Sequence, residues 1–253
     1  MNGILLAAGY GTRMYPLTRN RPKALLPLAD RPILDYLLDD LQEVPELDRL
    51  LLVVNARFAE QFQRWADARQ QVLPLRILND GSTCDGDRLG AVADIRFALH
   101  EGDALEQSAY ILATDNLPRF DLGDLVEFSD GGGHCAAFAI PERNRERLRR
   151  TGVAEIDADG RVVAFQEKPD DPRGSHRIPP FYVYTPEALQ MVEEYLGQGG
   201  DPDAPGNLLG WLVERVEVRA LERPAGTYDL GTIEEYDRTR REFQHKGPPA
   251  GSA

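Results

Sequence analysis

The sequence predicts an α/β fold, a Rossmann-like doubly wound sheet of mostly parallel strands with an antiparallel hairpin lid. Short apolar runs alternate with helix-period segments up to about residue 140, and strand-like alternation follows from residue 141. At 42% hydrophobic, a chain of 253 residues can bury a sizeable core. No stretch is clearly a linker, so residues 1–245 are expected to form a single domain with halves at 1–140 and 141–245.

Four nearly continuous apolar runs in the first half predict buried parallel strands, at 3–8, 50–55, 73–79 and 109–115. Helix-period segments lie between these runs, at 32–44, 58–69 and 89–101. Strand–helix alternation implies right-handed crossovers. In the common doubly wound order the first and fourth strands are neighbours, so their carboxyl ends, with Gly9 and Asp115, should open on one crevice.

The remaining elements follow in chain order. Asp121 is placed to cap a helix over 122–129, and a strand at 134–140 comes next. Two alternating strands around Asp159-Gly160 predict a hairpin over 152–169. The stretch RIPPFYVYT predicts one strand over 177–185. Beyond it we predict helices at 186–197 and 207–216, a strand at 216–222, a helix at 233–245 and a disordered tail at 246–253.

Charge and composition exclude several classes of protein. A formal net charge of −13 argues against nucleic acid and anionic membrane as partners, although local cationic pockets are compatible with it. The arginine-rich RNRERLRR (143–150) is most simply a solvated face. Neither cysteine lies in a metal-like spacing, and no signal peptide or membrane-length apolar run is present, so a cytoplasmic protein is expected.

The first predicted strand ends in Gly9-Tyr10-Gly11, with Arg13 just beyond. Two glycines allow backbone N–H groups to approach a phosphate without obstruction by a Cβ. The P-loop pattern is absent, and the dinucleotide fingerprint fails because Met14 stands at its third glycine. Asn55 also replaces the acidic residue expected at the end of the second strand, which counts against an NAD-dependent oxidoreductase.

Lysine is rare in this chain. Among 29 Lys and Arg residues only Lys23, Lys168 and Lys246 are lysines, and Lys246 falls in the predicted tail. An ammonium on a flexible stem differs from a guanidinium because it can follow a phosphoryl oxygen as charge moves. Lys23 and Lys168 are therefore candidate phosphate-binding residues.

The stretch LLAAGYGTRMYPLTRNRPKALLPLADRPIL resembles the signature of the sugar-phosphate nucleotidylyltransferases, also called nucleotide-sugar pyrophosphorylases. Further resemblance follows in order: TDN (114–116), the hairpin TGVAEIDADGRVVAFQEKP, and TYDLGT (227–232). It covers roughly residues 1–240 and includes a resemblance to short forms of the glucose-1-phosphate thymidylyltransferase type.

The resemblance implies Mg²⁺-dependent transfer of a nucleoside monophosphate from a nucleoside triphosphate to a sugar-1-phosphate, with release of pyrophosphate. It implies that residues 1–140 bind the nucleotide and 141–245 the sugar phosphate. By position in the motifs, the implied catalytic residues are Arg13 and Lys23, and the implied metal ligands Asp115 and Asp229. The implied nucleotide-binding residues are Ala7, Ala8, Gly9, Gly11, Thr12, Asn79 and Gly90. The implied sugar-phosphate-binding residues are Gly152, Glu167 and Lys168.

Several departures from the family pattern leave the substrates open. Thr114 replaces a glycine before the metal aspartate, residues 79–91 lack the usual base-reading glutamine, and Pro179-Pro180 stand where a glycine is common. Alternatives are a CTP-dependent cytidylyltransferase for a non-hexose phosphate (inositol phosphate or phosphocholine) and a non-catalytic nucleotide-sugar sensor. A homo-oligomer is compatible with the resemblance.

Overall fold

The structure, a computed structural model, describes residues 1–69 and 72–246. Its strands are β1 (Asn2–Leu6), β2 (Pro27–Leu28), β3 (Arg31–Pro32), β4 (Arg49–Val54), β5 (Leu75–Asn79), β6 (Ala109–Ala113), β7 (Asn116–Pro118), β8 (Cys135–Pro141), β9 (Gly152–Ile156), β10 (Val162–Glu167), β11 (His176–Ile178), β12 (Phe181–Tyr184), β13 (Val218–Glu222) and β14 (Thr227–Asp229). Its helices are α1 (Ile33–Gln42), α2 (Ala59–Asp67), α3 (Ala91–Glu101), α4 (Gly123–Phe128), α5 (Arg145–Leu148), α6 (Pro186–Gly197), α7 (Pro205–Leu212) and α8 (Ile233–Lys246).

The apolar runs of the first half form the parallel part of a ten-stranded sheet, in the order β6-β1-β4-β5. Successive residues of β1 enter different cores: Leu5 belongs to the core under α1, α2, α4 and α8, and Ile4 to the core under α3, α6 and α7. Both faces are therefore covered, which explains why these strands are apolar at nearly every position. The predicted doubly wound arrangement is confirmed for this part, including the pairing of β1 with β6.

The second half extends the same sheet with antiparallel strands, in the order β10-β9-β11-β8-β12, and β12 pairs with β6. β13 lies parallel to β8. Strands β9 and β10 form the predicted hairpin, in which Gly160 has a φ of +79°, a value that glycine adopts without strain. The predicted antiparallel hairpin is thus confirmed, and its strands extend the central sheet.

The prediction of one strand over 177–185 is wrong, because Pro179-Pro180 divide it into β11 and β12. Both strands pair with β8, yet four residues lie between Arg177 and Tyr182, while only two lie between their partners Ile140 and Ala137. Two extra residues therefore bulge out, where neither proline has an N–H to donate to the ladder. On its other side β11 pairs with β9, whereas β12 pairs with β6.

Element boundaries deviate slightly from the prediction. Helix α4 has Leu122 as its N-cap, and the preceding Asp121 accepts a hydrogen bond from the Gly123 N–H at 2.7 Å. Helix α7 starts at Pro205, which suits a first helical turn, and ends at Leu212. Helix α8 continues through Lys246, so the predicted tail starts one residue early, and 247–253 lie outside the described residues.

Two short elements bring distant segments together. Strands β7 and β14 form a two-stranded ribbon that pairs Asn116 with Asp229.

In the described chain, no helix has the length and apolar character needed to cross a membrane.

Candidate active site

The Gly9-Tyr10-Gly11 turn leaves β1 at the carboxyl edge of the sheet. Gly9 is exposed, and a Cβ added there would meet no atom within 4 Å, so the backbone is open to a ligand. Gly11 has a φ of +58°, and its carbonyl accepts a hydrogen bond from Thr18 Oγ1 at 2.7 Å. Gly11 is therefore required by the turn, whereas Gly9 leaves room beside it.

The strand end before the turn is fixed by Asn55. The Ala8 carbonyl accepts a hydrogen bond from Asn55 Nδ2 at 2.8 Å, and Asn55 Oδ1 accepts one from the Phe58 N–H at 3.0 Å. Ala7 donates its N–H to the Val53 carbonyl. Ala7 and Ala8 are buried, so the base of the turn is held rigidly by backbone and a buried amide.

Arg13 follows within a short 3-10 helix, Thr12–Met14, whose N-cap is Gly11. Both Thr12 and Arg13 are exposed. Across 1–69 and 72–246, no hydrogen bond or ion pair involves the Arg13 guanidinium, so it is available for an anionic ligand.

Lys23 and Asp115 form the centre of the site. Lys23 lies in a second 3-10 helix, Lys23–Leu25, and its Nζ is 2.8 Å from Asp115 Oδ2. Asn116 Nδ2 donates to Asp115 Oδ1 at 2.9 Å. Burial alone would raise the pKa of the Asp115 carboxyl, but the Lys23 ammonium and the hydrogen bonds to the carboxylate together outweigh burial, so the pKa lies below its ordinary value.

Asp229 reaches Asp115 through the ribbon of β7 and β14. The Leu230 N–H donates to the Asp115 carbonyl at 3.2 Å, and the Gly231 N–H donates to Asp229 Oδ1 at 3.0 Å. Desolvation raises the pKa of the Asp229 carboxyl, and the nearby charges of Asp115 and Glu235 raise it further. Two carboxylates that repel each other in this way fit a cation between them.

These two carboxylates suit Mg²⁺, which keeps water and substrate ligands, better than a metal ion that is ligated only by protein side chains. Over the described residues, no group of three or more His, Cys, Asp or Glu side chains is arranged to hold a metal ion. Mg²⁺ is commonly held by one or two carboxylates and substrate phosphates, with water completing its shell. Asp115 and Asp229 together match that requirement.

A second set of predicted residues lies on the β9–β10 hairpin. A Cβ on Gly152 would lie 2.5 Å from Phe165 Cζ, and a Cβ on Gly206 of α7 would lie 2.1 Å from Glu167 Oε2. Lys168 Nζ is 3.4 Å from Glu167 Oε1, and its side chain is 58% exposed. Burial raises the pKa of the Glu167 carboxyl, and Lys168 partly counteracts that rise. The glycines thus make space for a carboxylate that has one exposed cationic neighbour.

Asn79 and Gly90 have structural roles in this chain. Asn79 Oδ1 accepts the Gly81 N–H at 3.0 Å, which is an ordinary Asx-turn contact. Gly90 is the N-cap of α3 with a φ of +91°, and a Cβ there would lie 2.6 Å from the Pro202 carbonyl oxygen. A cavity of about 350 Å³ borders Gly90, and its remaining lining residues are Asp85, Gly86, Arg88, Leu89, Pro202 and Asp203.

Two side chains near the site have roles that sequence reasoning did not find. Thr114 is buried and donates from Oγ1 to the Leu6 carbonyl at 2.9 Å, so it ties β6 to β1 where a glycine was expected. Arg177 lies on β11 and interacts electrostatically with Asp229. In the sequence, Arg177 stands out only as a cation at the start of the mostly apolar strand predicted over 177–185.

Comparison with known proteins gives consistent matches. A family model described as nucleotidyl transferase matches residues 2–245. The low-salt glycan biosynthesis nucleotidyltransferase Agl11 of Haloferax volcanii is 27% identical over 212 residues, covering 77% of this chain and 52% of that protein. A glucose-1-phosphate thymidylyltransferase of an Actinoplanes species is 31% identical over 243 residues, covering 92% and 75%. The chain thus spans about half the length of the first relative and three quarters of the second.

A solved structure gives the same architecture. A UDP-glucose pyrophosphorylase complexed with UDP-glucose superposes with a TM-score of 0.79 at 17% sequence identity, covering 97% of this chain and 98% of that one. This likeness confirms the predicted α/β fold of the nucleotide-diphospho-sugar transferase type.

Proposed function

Since the chain belongs to the nucleotidyl transferase family, we propose that it transfers a nucleoside monophosphate from a nucleoside triphosphate to a sugar-1-phosphate. The observation that carries this proposal is the meeting of Lys23, Asp115 and Asp229. Gly9 and Asp115 follow β1 and β6, which are adjacent parallel strands, so both lie at one edge of the sheet.

In the proposed reaction an oxygen of the sugar-1-phosphate forms a bond to the α-phosphorus of the triphosphate. The bond from that phosphorus to the α–β bridging oxygen breaks, and pyrophosphate leaves with the electron pair. Positioning and charge neutralisation are sufficient for this chemistry, and no enzyme nucleophile is needed. Arg13, which has no protein partner among the described residues, binds the triphosphate and the pyrophosphate that departs. Lys23 holds phosphate oxygens at the reacting centre.

Asp115 and Asp229 would hold Mg²⁺. When bound, the ion supplies charge neutralisation at the phosphate oxygens. Lys23 already pairs with Asp115, so this lysine both orients the carboxylate and partly neutralises its charge. The open turn at Gly9 and the fixed backbone of Ala7 and Ala8 receive the nucleotide, with Gly11, Thr12, Asn79 and Gly90 around it.

The sugar phosphate would lie against the β9–β10 hairpin. Gly152 and Gly206 make room for the Glu167 carboxylate, which would accept hydrogen bonds from sugar hydroxyls. Lys168 offers an exposed ammonium for the phosphate. The proposed halves therefore stay as predicted, residues 1–140 for the nucleotide and 141–245 for the acceptor.

The proposal is tested by measuring pyrophosphate release with Mg²⁺. The assay crosses dTTP, UTP, CTP, GTP and ATP with several sugar-1-phosphates, inositol-1-phosphate and phosphocholine. We expect turnover with at least one sugar-1-phosphate, and Arg13→Ala should lower kcat/KM by about 100-fold or more. Arg19→Ala is the matched control, because Arg19 is exposed in the same segment and contacts Tyr15.

Other outcomes identify the alternatives. Turnover confined to CTP with inositol-1-phosphate or phosphocholine would replace the sugar acceptor by a non-hexose one. Binding of a nucleotide-sugar without turnover in any pair would contradict the enzyme and favour a sensor.

A further inference from the structure

Arg177 is a mostly buried cation whose guanidinium has no hydrogen-bond partner among the described residues. Its side chain is 16% exposed, and its Nε is enclosed without an acceptor. The described residues offer this guanidinium no hydrogen bond and a single ion pair, to Glu142 at 3.6 Å. Its two Nη nitrogens are not enclosed as Nε is. A guanidinium with open Nη groups is prepared to bind an acceptor from outside the chain.

Glu142 does not satisfy this arginine. Its Oε1 accepts hydrogen bonds from the N–H groups of Arg143 and Asn144, at 2.9 and 2.8 Å. Its Oε2 is shared between Arg177 and Arg147, which lies 3.5 Å away. Two arginines therefore depend on one carboxylate that also serves two backbone groups, so the neighbourhood can accommodate a further anion.

The position of Arg177 links the two parts of the proposed site. A Cβ on Gly226, which directly precedes β14, would lie 3.7 Å from Arg177 Nη2. Asp229 ends that strand and interacts electrostatically with Arg177. The next residue, Ile178, pairs with Gly152 on the hairpin. Arg177 thus lies on a strand that pairs with the proposed sugar-phosphate hairpin, and its guanidinium lies beside the residue that leads into the strand of Asp229.

We propose that Arg177 binds the phosphate of the acceptor substrate through its Nη groups and thereby helps select phosphorylated acceptors. This inference rests on the proposed function. Both proposed phosphate-binding lysines have carboxylate neighbours, Lys23 with Asp115 and Lys168 with Glu167. Arg177 supplies the guanidinium that a doubly charged phosphate next to Asp229 needs, and its fork can contact two phosphate oxygens at once.

The test compares Arg177→Gln and Arg177→Lys with the wild-type enzyme. KM values for acceptor and nucleoside triphosphate are measured separately, together with inhibition by inorganic phosphate. We expect Arg177→Gln to raise the acceptor KM by about tenfold or more and to leave the triphosphate KM within about twofold. Arg177→Lys should recover part of the loss, and inhibition by phosphate competing with the acceptor should weaken in parallel.

Arg219→Gln is the matched control. Arg219 lies on β13, and its Nε also has no hydrogen-bond partner among the described residues, but its ion pair is with Glu217. This variant should keep both KM values. Equal rises of both KM values in Arg177→Gln, or no change in either, would overturn the inference.

Two further results separate the possible failures. A defect that appears only with acceptors carrying a carboxylate, such as a uronic acid 1-phosphate, would assign Arg177 to that group and overturn the phosphate role. Absence of turnover in the wild type across all substrate pairs would overturn the proposed function itself, and the role of Arg177 with it. Wild-type turnover with an unaffected Arg177→Gln variant would overturn the inference alone.

Discussion

The Lys23–Asp115 pair joins a lysine whose side chain is 12% exposed to an aspartate whose side chain is 39% exposed. Water therefore screens the pair on the aspartate side, and its contribution to stability is that of a partly exposed ion pair. The pair also offsets repulsion between Asp115 and Asp229, which raises the pKa of the latter. Loss of Lys23 removes both effects.

We expect Lys23→Met to lower the free energy of unfolding by about 1 kcal/mol at pH 7. The pKa of Asp115 is lowered in the folded state, so the contribution is present above the ordinary value and is lost as the pH falls through the folded value. The difference between variant and wild type should therefore shrink below about pH 4. Urea unfolding at several pH values measures it.

A double-mutant cycle with Asp115→Asn isolates the pair. In the Asp115→Asn background Lys23→Met should cost less, because the ammonium then has no carboxylate opposite it. Fully additive costs would contradict this interpretation of the pair.

At the scale of single elements, the start of α3 depends on a remote loop. Its N-cap, Gly90, has no side chain to accept the free N–H groups, and the Val92 N–H donates instead to the Pro202 carbonyl at 2.9 Å. Arg88 fixes the same loop, with its Nη2 2.8 Å from Asp203 Oδ1. Residues 79–91, which include the predicted nucleotide-binding residues Asn79 and Gly90, are thereby joined to the loop that leads into α7.

We expect Gly90→Ala to destabilise the protein by about 3 kcal/mol, because a Cβ would meet the Pro202 carbonyl and the φ of +91° is strained for alanine. Gly199→Ala is the control, since Gly199 has a φ of +82° with no atom near its Cβ. It should cost about 1 kcal/mol. Equal losses on thermal unfolding of the two variants would show that the contact with Pro202 has no effect.

The same scale shows what sequence could predict. The strands of the parallel core were predictable because both faces are buried, which produces long apolar runs. β7 and β14 have three residues each, too few to show a hydrophobic period in the sequence, although they bring Asp229 to Asp115. Pro179-Pro180 mark the division of β11 from β12 in the sequence, but the different neighbours of the two strands, β9 and β6, are set only by tertiary pairing.

The candidate site divides in a similar way. The adjacency of the Gly9 turn and Asp115 follows from the doubly wound strand order, and the structure has it. Sequence reasoning could not identify Arg177 as a candidate site residue, because its distinguishing feature is a guanidinium without hydrogen-bond partners among the described residues, which only the structure shows. The roles of the predicted site residues stay predictions.

At the scale of the whole molecule, the net charge of −13 coexists with an arginine-rich segment. The structure pairs three of its five arginines with carboxylates: Arg145 with Asp171 at 2.6 Å, Arg149 with Glu146 at 2.6 Å, and Arg147 with Glu142. The charge of the segment is therefore partly neutralised at short range, as expected for a solvated face.

We expect the protein to pass through a heparin column at pH 7.5 and about 50 mM NaCl, where a nucleic-acid-binding surface would be retained. A basic protein with a pI above about 9 serves as the column control. If the protein is retained and elutes only at several times that salt concentration, the expectation that it has no polyanion-binding surface is wrong.

The ribbon of β7 and β14 also has a consequence for protein synthesis. It joins Asp115 to Asp229, which is made 114 residues later. The parallel strands β1, β4, β5 and β6 are complete by residue 113 and can begin to pack while translation continues. The carboxylate pair forms only after residue 229 has left the ribosome. A prematurely terminated chain can therefore contain the whole glycine turn and still lack the second carboxylate.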